Sequence, residues 1–217
     1  NYFKKKNTPS KLEIFIKNSK NNLNLEKINF SENENFILLK NLNISNNLKI
    51  KSVDEIDVSF LNKKEVLNNF KIKKNLNNYI FNGYQLDGEE LLEGLLKSNK
   101  KNEISKLFDN INTSIKLNLD KIYLEKNSNL EKLNGEFDIK NNKLFLAKIE
   151  ANLENKKKFS YSYRTTKKNE KITNIFIEGP KPFVNNYKFI KGFDEGELKL
   201  NSIKIENNSR SNLKITI

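Results

Sequence analysis

Apolar side chains recur at every second position along most of this chain. Ile115, Leu117 and Leu119 alternate with Lys116, Asn118 and Asp120. Phe145, Ala147, Ile149, Ala151 and Leu153 repeat the beat, and Phe159, Tyr161 and Tyr163 follow. Leu198 and Leu200, then Leu213, Ile215 and Ile217, carry it to the end. Successive side chains of a strand point to opposite faces, so this period predicts sheet with one apolar and one wetted face.

The first part reads as short strands over 12–16, 23–30, 36–39, 48–60, 66–73 and 79–86. Asn41 to Asn47 reads as a turn, because Asn tolerates left-handed backbone. Further strands are expected at 113–124, 131–140, 143–154, 157–166 and 171–178, and again from Glu197. Asn141-Asn142, set between two alternating runs, predicts a tight hairpin. At Asp87 the period changes. Asp87 and Glu90 resemble a capping box, and Leu91, Leu92, Leu95 and Leu96 then share a helical face. Ile104, Leu107, Phe108 and Ile111 suggest a second short helix. A third is expected after Pro182, with Phe183, Val184, Tyr187 and Ile190 on one side. The expected fold is mainly β, with two or three short helices. Short connections favour an antiparallel meander.

Composition narrows the function more than the fold. The 217 residues suffice for one large or two small domains. Only 36% are hydrophobic and 31% are charged, a lean supply that alternation uses economically. The net charge of +13 invites an anionic partner. Yet Arg164 and Arg210 are the only arginines, and Asn makes up nearly a fifth of the chain. Such Lys-, Asn- and Ile-rich usage is what an AT-rich genome writes onto any exposed surface, and the bidentate phosphate fork of Arg is nearly missing. The charge is therefore assigned to solvated faces.

Cys, His, Trp and Met are absent. This excludes disulfides, Cys or His metal sites, and catalysis built on His or Cys. No signal peptide and no apolar run of about 18 residues is present. The chain starts at Asn1 and ends inside an alternating run at Ile217, which reads as a piece of something longer.

Candidate chemistry is sparse. Paired carboxylates occur in Asp54-Glu55-Asp57, Glu89-Glu90 and Asp194-Glu195. Acid–base work needs a desolvated cleft to separate their pKa values, and nothing in the pattern predicts one. Glu89-Glu90 suits a helix N-terminus, Asp194-Glu195-Gly196 a turn, and Asp54 and Glu55 a charged sheet edge. Gly192 to Gly196 lacks the Lys and Ser/Thr of a phosphate loop. Phe159 to Arg164, flanked by Lys156 to Lys158 and Lys167-Lys168, fits either sheet packing or an aromatic platform for single-stranded nucleic acid. Packing is the preferred reading, so no nucleic-acid partner is expected.

From about Tyr84 to Ile217 a series of motifs follows in order. They are Asp87 to Leu92, Ile115 to Ile122, Leu133-Asn134-Gly135-Glu136-Phe137, Leu144 to Leu153, and Gly179 to Leu200. In this order they resemble the C-terminal region of the AsmA-like family, as in bridge-like lipid transfer proteins of the YhdP and TamB type. The resemblance implies residues 1–86 as preceding groove strands and 87–217 as the family's C-terminal-type region. It implies a long, curved antiparallel sheet forming an open hydrophobic groove that conducts phospholipids between inner and outer membranes. Expected partners are phospholipid acyl chains and envelope proteins, with no cofactor and no enzymatic step. The implied location is the periplasm, anchored to the inner membrane through a segment outside this chain. The groove lining is assigned to Ile115, Leu117, Leu119, Phe145, Ala147, Ile149, Ala151, Leu153, Phe159, Tyr161 and Tyr163. A charge at Leu117, Phe145 or Ile149 is expected to block transport and leave the fold largely intact. Two alternatives stand beside this: a structural or scaffold protein in outer-membrane assembly with its faces closed in a sandwich, and a basic nucleic-acid-binding module. A one-residue slip in any strand would reverse which set faces inward.

Overall fold

Alternation becomes strand almost wherever it occurs. The computed structural model describes residues 7–19, 22–89, 111–125, 128–153, 156–180, 195–205 and 208–216. Seven strands precede residue 88: β1 (Lys11–Ser19), β2 (Asn22–Glu32), β3 (Asn35–Ser45), β4 (Ile50–Ser52), β5 (Glu55–Leu61), β6 (Leu67–Asn75) and β7 (Asn78–Asp87). Seven follow: β8 (Thr113–Glu125), β9 (Ser128–Lys140), β10 (Lys143–Asn152), β11 (Lys158–Thr165), β12 (Lys171–Glu178), β13 (Glu197–Ile205) and β14 (Asn208–Thr216). Together they form one curved, unclosed sheet. Thirteen strands lie side by side in chain order, while the short β4 pairs with β3 off the main path.

The antiparallel meander holds at every step but one. β7 pairs with β8 in parallel, from Tyr79 opposite Ile115 to Asp87 opposite Tyr123. A parallel step needs a crossover connection of roughly a dozen residues or more, and the stretch 88–112 supplies that length. The three expected helices, over 87–97, 104–111 and 183–190, fall almost wholly outside the described residues. At the first, Asp87 Oδ1 accepts a hydrogen bond from the Glu89 backbone N–H at 3.3 Å, as an N-cap residue does. Asn62 Nδ2 holds the other Asp87 oxygen at 2.6 Å.

The Asn141-Asn142 hairpin forms as expected, with φ of 49° and 61° joining Lys140 to Lys143. Two consecutive left-handed residues define the I′ turn that matches strand twist. The first Asn-rich stretch differs. β3 continues through Asn41 to Ser45, and the turn closes later, where Leu48 N–H donates to the Ser45 carbonyl at 2.9 Å. Leu48 sits in that turn at φ 60° and is exposed, so the expected strand over 48–60 breaks into β4 and β5. Asp54 and Glu55 are not at a sheet edge. Glu55 lies in an interior strand between Lys40 at 3.0 Å, Lys73 at 3.7 Å and Lys71 at 3.8 Å.

Candidate functional site

The feature that register assembles is a rung of apolar residues across the whole sheet. Cross-strand partners share a face, so a chain of partners traces one line over the surface. From β1 to β14 that line is Ile14, Ile28, Leu39, Ile56, Ile72, Phe81, Leu117, Gly135, Ile149, Tyr161, Ile175, Leu200 and Leu213. Every step is a register pair, and no polar side chain interrupts it. A second rung runs Leu12, Phe30, Ile37, Val58, Phe70, Gly83, Leu119 and Leu133. After a bulge it resumes as Ala151, Phe159, Ile177, Leu198 and Ile215.

Most of the expected lining falls on this face. Leu117, Ile149 and Tyr161 lie on the first rung, and Leu119, Ala151 and Phe159 on the second. Ile115, Ala147 and Tyr163 lie on a third line through Phe137. Leu153, just beyond β10, is buried in the same core. Phe145 departs. Register shifts between Leu144 and Leu146 place it in a bulge, and Leu144, not Phe145, packs against the core. The Phe145 ring instead lies 3.9 Å from Lys140 Nζ. A bulge inserts one residue and reverses the alternation, which explains the exchange.

The lining expected from the alternation runs only from Ile115 to Tyr163. It left out the entire β1–β7 half of the face, together with Ile175 to Ile215. The signal was present in the alternation, but only register shows that the two halves join into one line.

Burial along the rung is graded. Ile149 is 3% exposed, whereas Ile14 and Leu213 at the two ends are 50% and 51% exposed. From Ile28 to Phe81 the rung is half-buried, while Leu117, Ile149 and Tyr161 belong to the buried core. Extensive contacts between described strands join sheet neighbours only. The buried Tyr161 hydroxyl has its pKa pushed up to about 12, first by loss of solvent and then by neighbouring Tyr163. It stays a neutral phenol at physiological pH.

The opposite face is mostly polar, with Leu38, Ile80, Ile172 and Phe176 set among charged and amide side chains. A hydrogen bond from Lys40, with the charges of Lys71 and Lys73, holds the Glu55 carboxyl below its ordinary range. The Lys71 ammonium is raised by its bond to Asp57. Asn118 donates to Asn82 at 3.1 Å and Asn174 to Ser162 at 3.2 Å, forming short amide ladders between strands. Between β10 and β14, a shallow concavity of about 520 Å³ is lined by Phe176 together with Ser160, Ser162, Asn174, Lys148 and Lys199.

Among the described residues no cluster of carboxylates could hold a metal ion, and no helix is long and apolar enough to cross a membrane. Fold and face together define an open, curved β-sheet protein with one continuous apolar face. The chain matches no protein-family model, no curated protein and no solved structure.

Proposed function

We propose that this chain is a lipid-conducting β-groove segment of an envelope-spanning, AsmA-like protein that moves phospholipids between the inner and outer membranes. The observation that carries the reading is the unbroken apolar rung from Ile14 to Leu213. Removing a CH₂ from water is worth about 0.8 kcal/mol, so a 16-carbon acyl chain costs on the order of 12 kcal/mol to expose. A face that offers Ile, Leu, Phe or Tyr at nearly every strand lowers that cost all along its length. Head groups stay wet outside the trough, and no bond is made or broken. The order of motifs between Tyr84 and Ile217 supports the family assignment, and with it a periplasmic setting.

Access is best towards both ends of the rung, over β1–β7 and again over β12–β14, where it is half-buried or exposed rather than closed. The burial of Leu117, Ile149 and Tyr161 favours a second reading for the later strands, a closed structural core serving as a scaffold in outer-membrane assembly. Mass spectrometry of lipids retained by the purified chain separates the two. The conduit reading expects stoichiometric two-chain phospholipid, displaced by detergent. A folded chain free of lipid leaves the scaffold reading in its place.

A further inference from the structure

Strand direction sorts the turns of this sheet between two rims. The turns after β3, β6, β9, β11 and β13 lie on one rim, and those after β2, β5, β8, β10 and β12 on the other. The parallel step from β7 to β8 keeps this order, because its connection returns from the second rim to the first. Hydrogen bonds stitch neighbouring parts of the first rim together. Lys74 N–H donates to the Asp54 carbonyl at 2.8 Å, Thr113 Oγ1 to the Asn77 carbonyl at 2.7 Å, and Asn141 N–H to Asn112 Oδ1 at 3.0 Å.

The two rims differ in charge. The first carries Lys140 and Lys143 around one turn and Lys167, Lys168 and Lys171 around the next, all exposed. Among the described residues none of these five forms an ion pair. Glu170, the carboxylate of the second turn, accepts a hydrogen bond from Thr166 Oγ1 at 3.3 Å. At the opposite rim Glu32, Glu34, Glu65, Glu125 and Glu178 offset Lys63, Lys64 and Lys156 to Lys158. A compositional bias toward Lys would load both rims alike, so it does not account for the difference.

The basic rim also holds the two most exposed large apolar side chains described, Leu48 at 82% and Leu76 at 87%. Each sits in its turn in left-handed backbone, with φ of 60° and 56°, a conformation that Asn or Gly takes at far less cost. Apolar tips beside unpaired ammonium groups suit an anionic bilayer, where hydrocarbon enters the interface and cations stay among the head groups. A nucleic acid would use the lysines and leave the leucines in water. The rings that could stack bases, Phe159 and Tyr161, are buried in the core instead.

We propose that this basic rim, with Leu48 and Leu76 as its apolar tips, docks the chain on an anionic phospholipid bilayer. The proposal rests on the rim and not on the apolar rung. A chain that docks but retains no phospholipid keeps the docking rim and loses the conduit. A chain that retains phospholipid but does not dock keeps the conduit and loses the docking rim.

Flotation of the purified chain with phosphatidylcholine vesicles, with and without phosphatidylglycerol, tests the proposal. Binding is expected to the anionic vesicles only, and it should fall steeply with added salt. Lys167→Gln combined with Lys168→Gln and Lys171→Gln should weaken it several-fold. Lys63→Gln combined with Lys156→Gln and Lys158→Gln removes the same charge from the opposite rim and should leave binding near that of the parent. Leu48→Asn with Leu76→Asn suits the left-handed turns, so this variant should fold at least as well yet bind several-fold more weakly. The chain has no tryptophan, so Leu76→Trp reports its own surroundings, and its emission should shift to the blue on anionic vesicles alone. Equal loss in the two lysine triples, equal binding to neutral vesicles, or no binding at low salt overturns the proposal. Binding that ignores the leucines, or an unshifted Leu76→Trp emission, also overturns it and gives the rim to a water-soluble polyanion.

Discussion

Two glycines sit on the apolar rungs for different reasons of space. A Cβ built at Gly83 would lie 2.6 Å from Leu119 Cδ2, 2.7 Å from Phe70 Cβ and 2.8 Å from the Asn69 carbonyl oxygen. Two of those atoms are fixed to the backbone of the neighbouring strand, so they cannot swing away. Gly83→Ala should lower stability by about 1–3 kcal/mol, the usual cost of overpacking. At Gly135 the nearest atoms are 3.3 to 3.5 Å away, and Gly135→Ala should cost clearly less. Urea midpoints at unchanged m-value check the order. Tyr161 supplies a residue-scale pH test. Its pKa is raised in the folded chain to about 12 from an unfolded value near 10. The folded state holds the proton more tightly, so the stabilising contribution is complete below about pH 10 and is lost as pH rises through about 12. Burial also raises the Tyr79 phenol, so phenolate absorbance should show late titration from both, and Tyr161→Phe should remove the component near pH 12 and reduce the alkaline loss of stability.

At the scale of elements, left-handed bulges keep the apolar face on one side. The beat skips after Leu119, where the next buried residue in β8 is Ile122, and in β9 it skips from Leu133 to Leu130. Lys132, inside that second skip, has φ 51°. β3 repeats the device, with Asn41 at φ 50° between Leu39 and Leu42. A left-handed residue in mid-strand lets the chain step by three and return to the same face. Lys132 is exposed and carries a Cβ into backbone space that glycine enters freely. Lys132→Val should therefore be less stable than Lys132→Gly by about 1–2 kcal/mol in chemical unfolding. These devices also explain what could be read from the sequence. Strands such as 143–154 and the Asn141-Asn142 turn were legible because period and turn chemistry are local. The parallel β7–β8 step was not, since an alternating pattern carries no strand direction. Phe145 was misplaced because Leu144 offers an equally good apolar residue one position away, and only the partner strand decides between them. The N-terminal half of the face is harder to assign because adjacent apolar residues, as in Phe36-Ile37-Leu38-Leu39 and Phe60-Leu61, break the alternation, and period alone does not say which of them share a face.

For the molecule as a whole, the graded burial of one rung turns the cargo question into a series of substitutions. Leu117 and Ile149 were expected to tolerate a charge, but both lie in the buried core. Burying an unpaired carboxylate there costs several kcal/mol, so Ile149→Glu should lose cooperative unfolding and says nothing about transport. Ile56 and Ile72 lie on the same rung in the half-buried region, where a carboxylate can still reach water. Ile56→Glu and Ile72→Glu should unfold cooperatively within a few degrees of the parent chain. Each should retain several-fold less phospholipid, because a charge in the trough interrupts the continuous apolar path. Leu38→Glu is the matched control, since Leu38 pairs with Asp57 on the opposite, polar face. It should leave lipid retention unchanged. Equal retention by folded Ile56→Glu and by the parent would place the cargo elsewhere and leave the rung as a structural core. Loss in Ile56→Glu but not in Leu38→Glu would assign the cargo to one face of the sheet, which is the distinction that a one-residue slip in register would reverse.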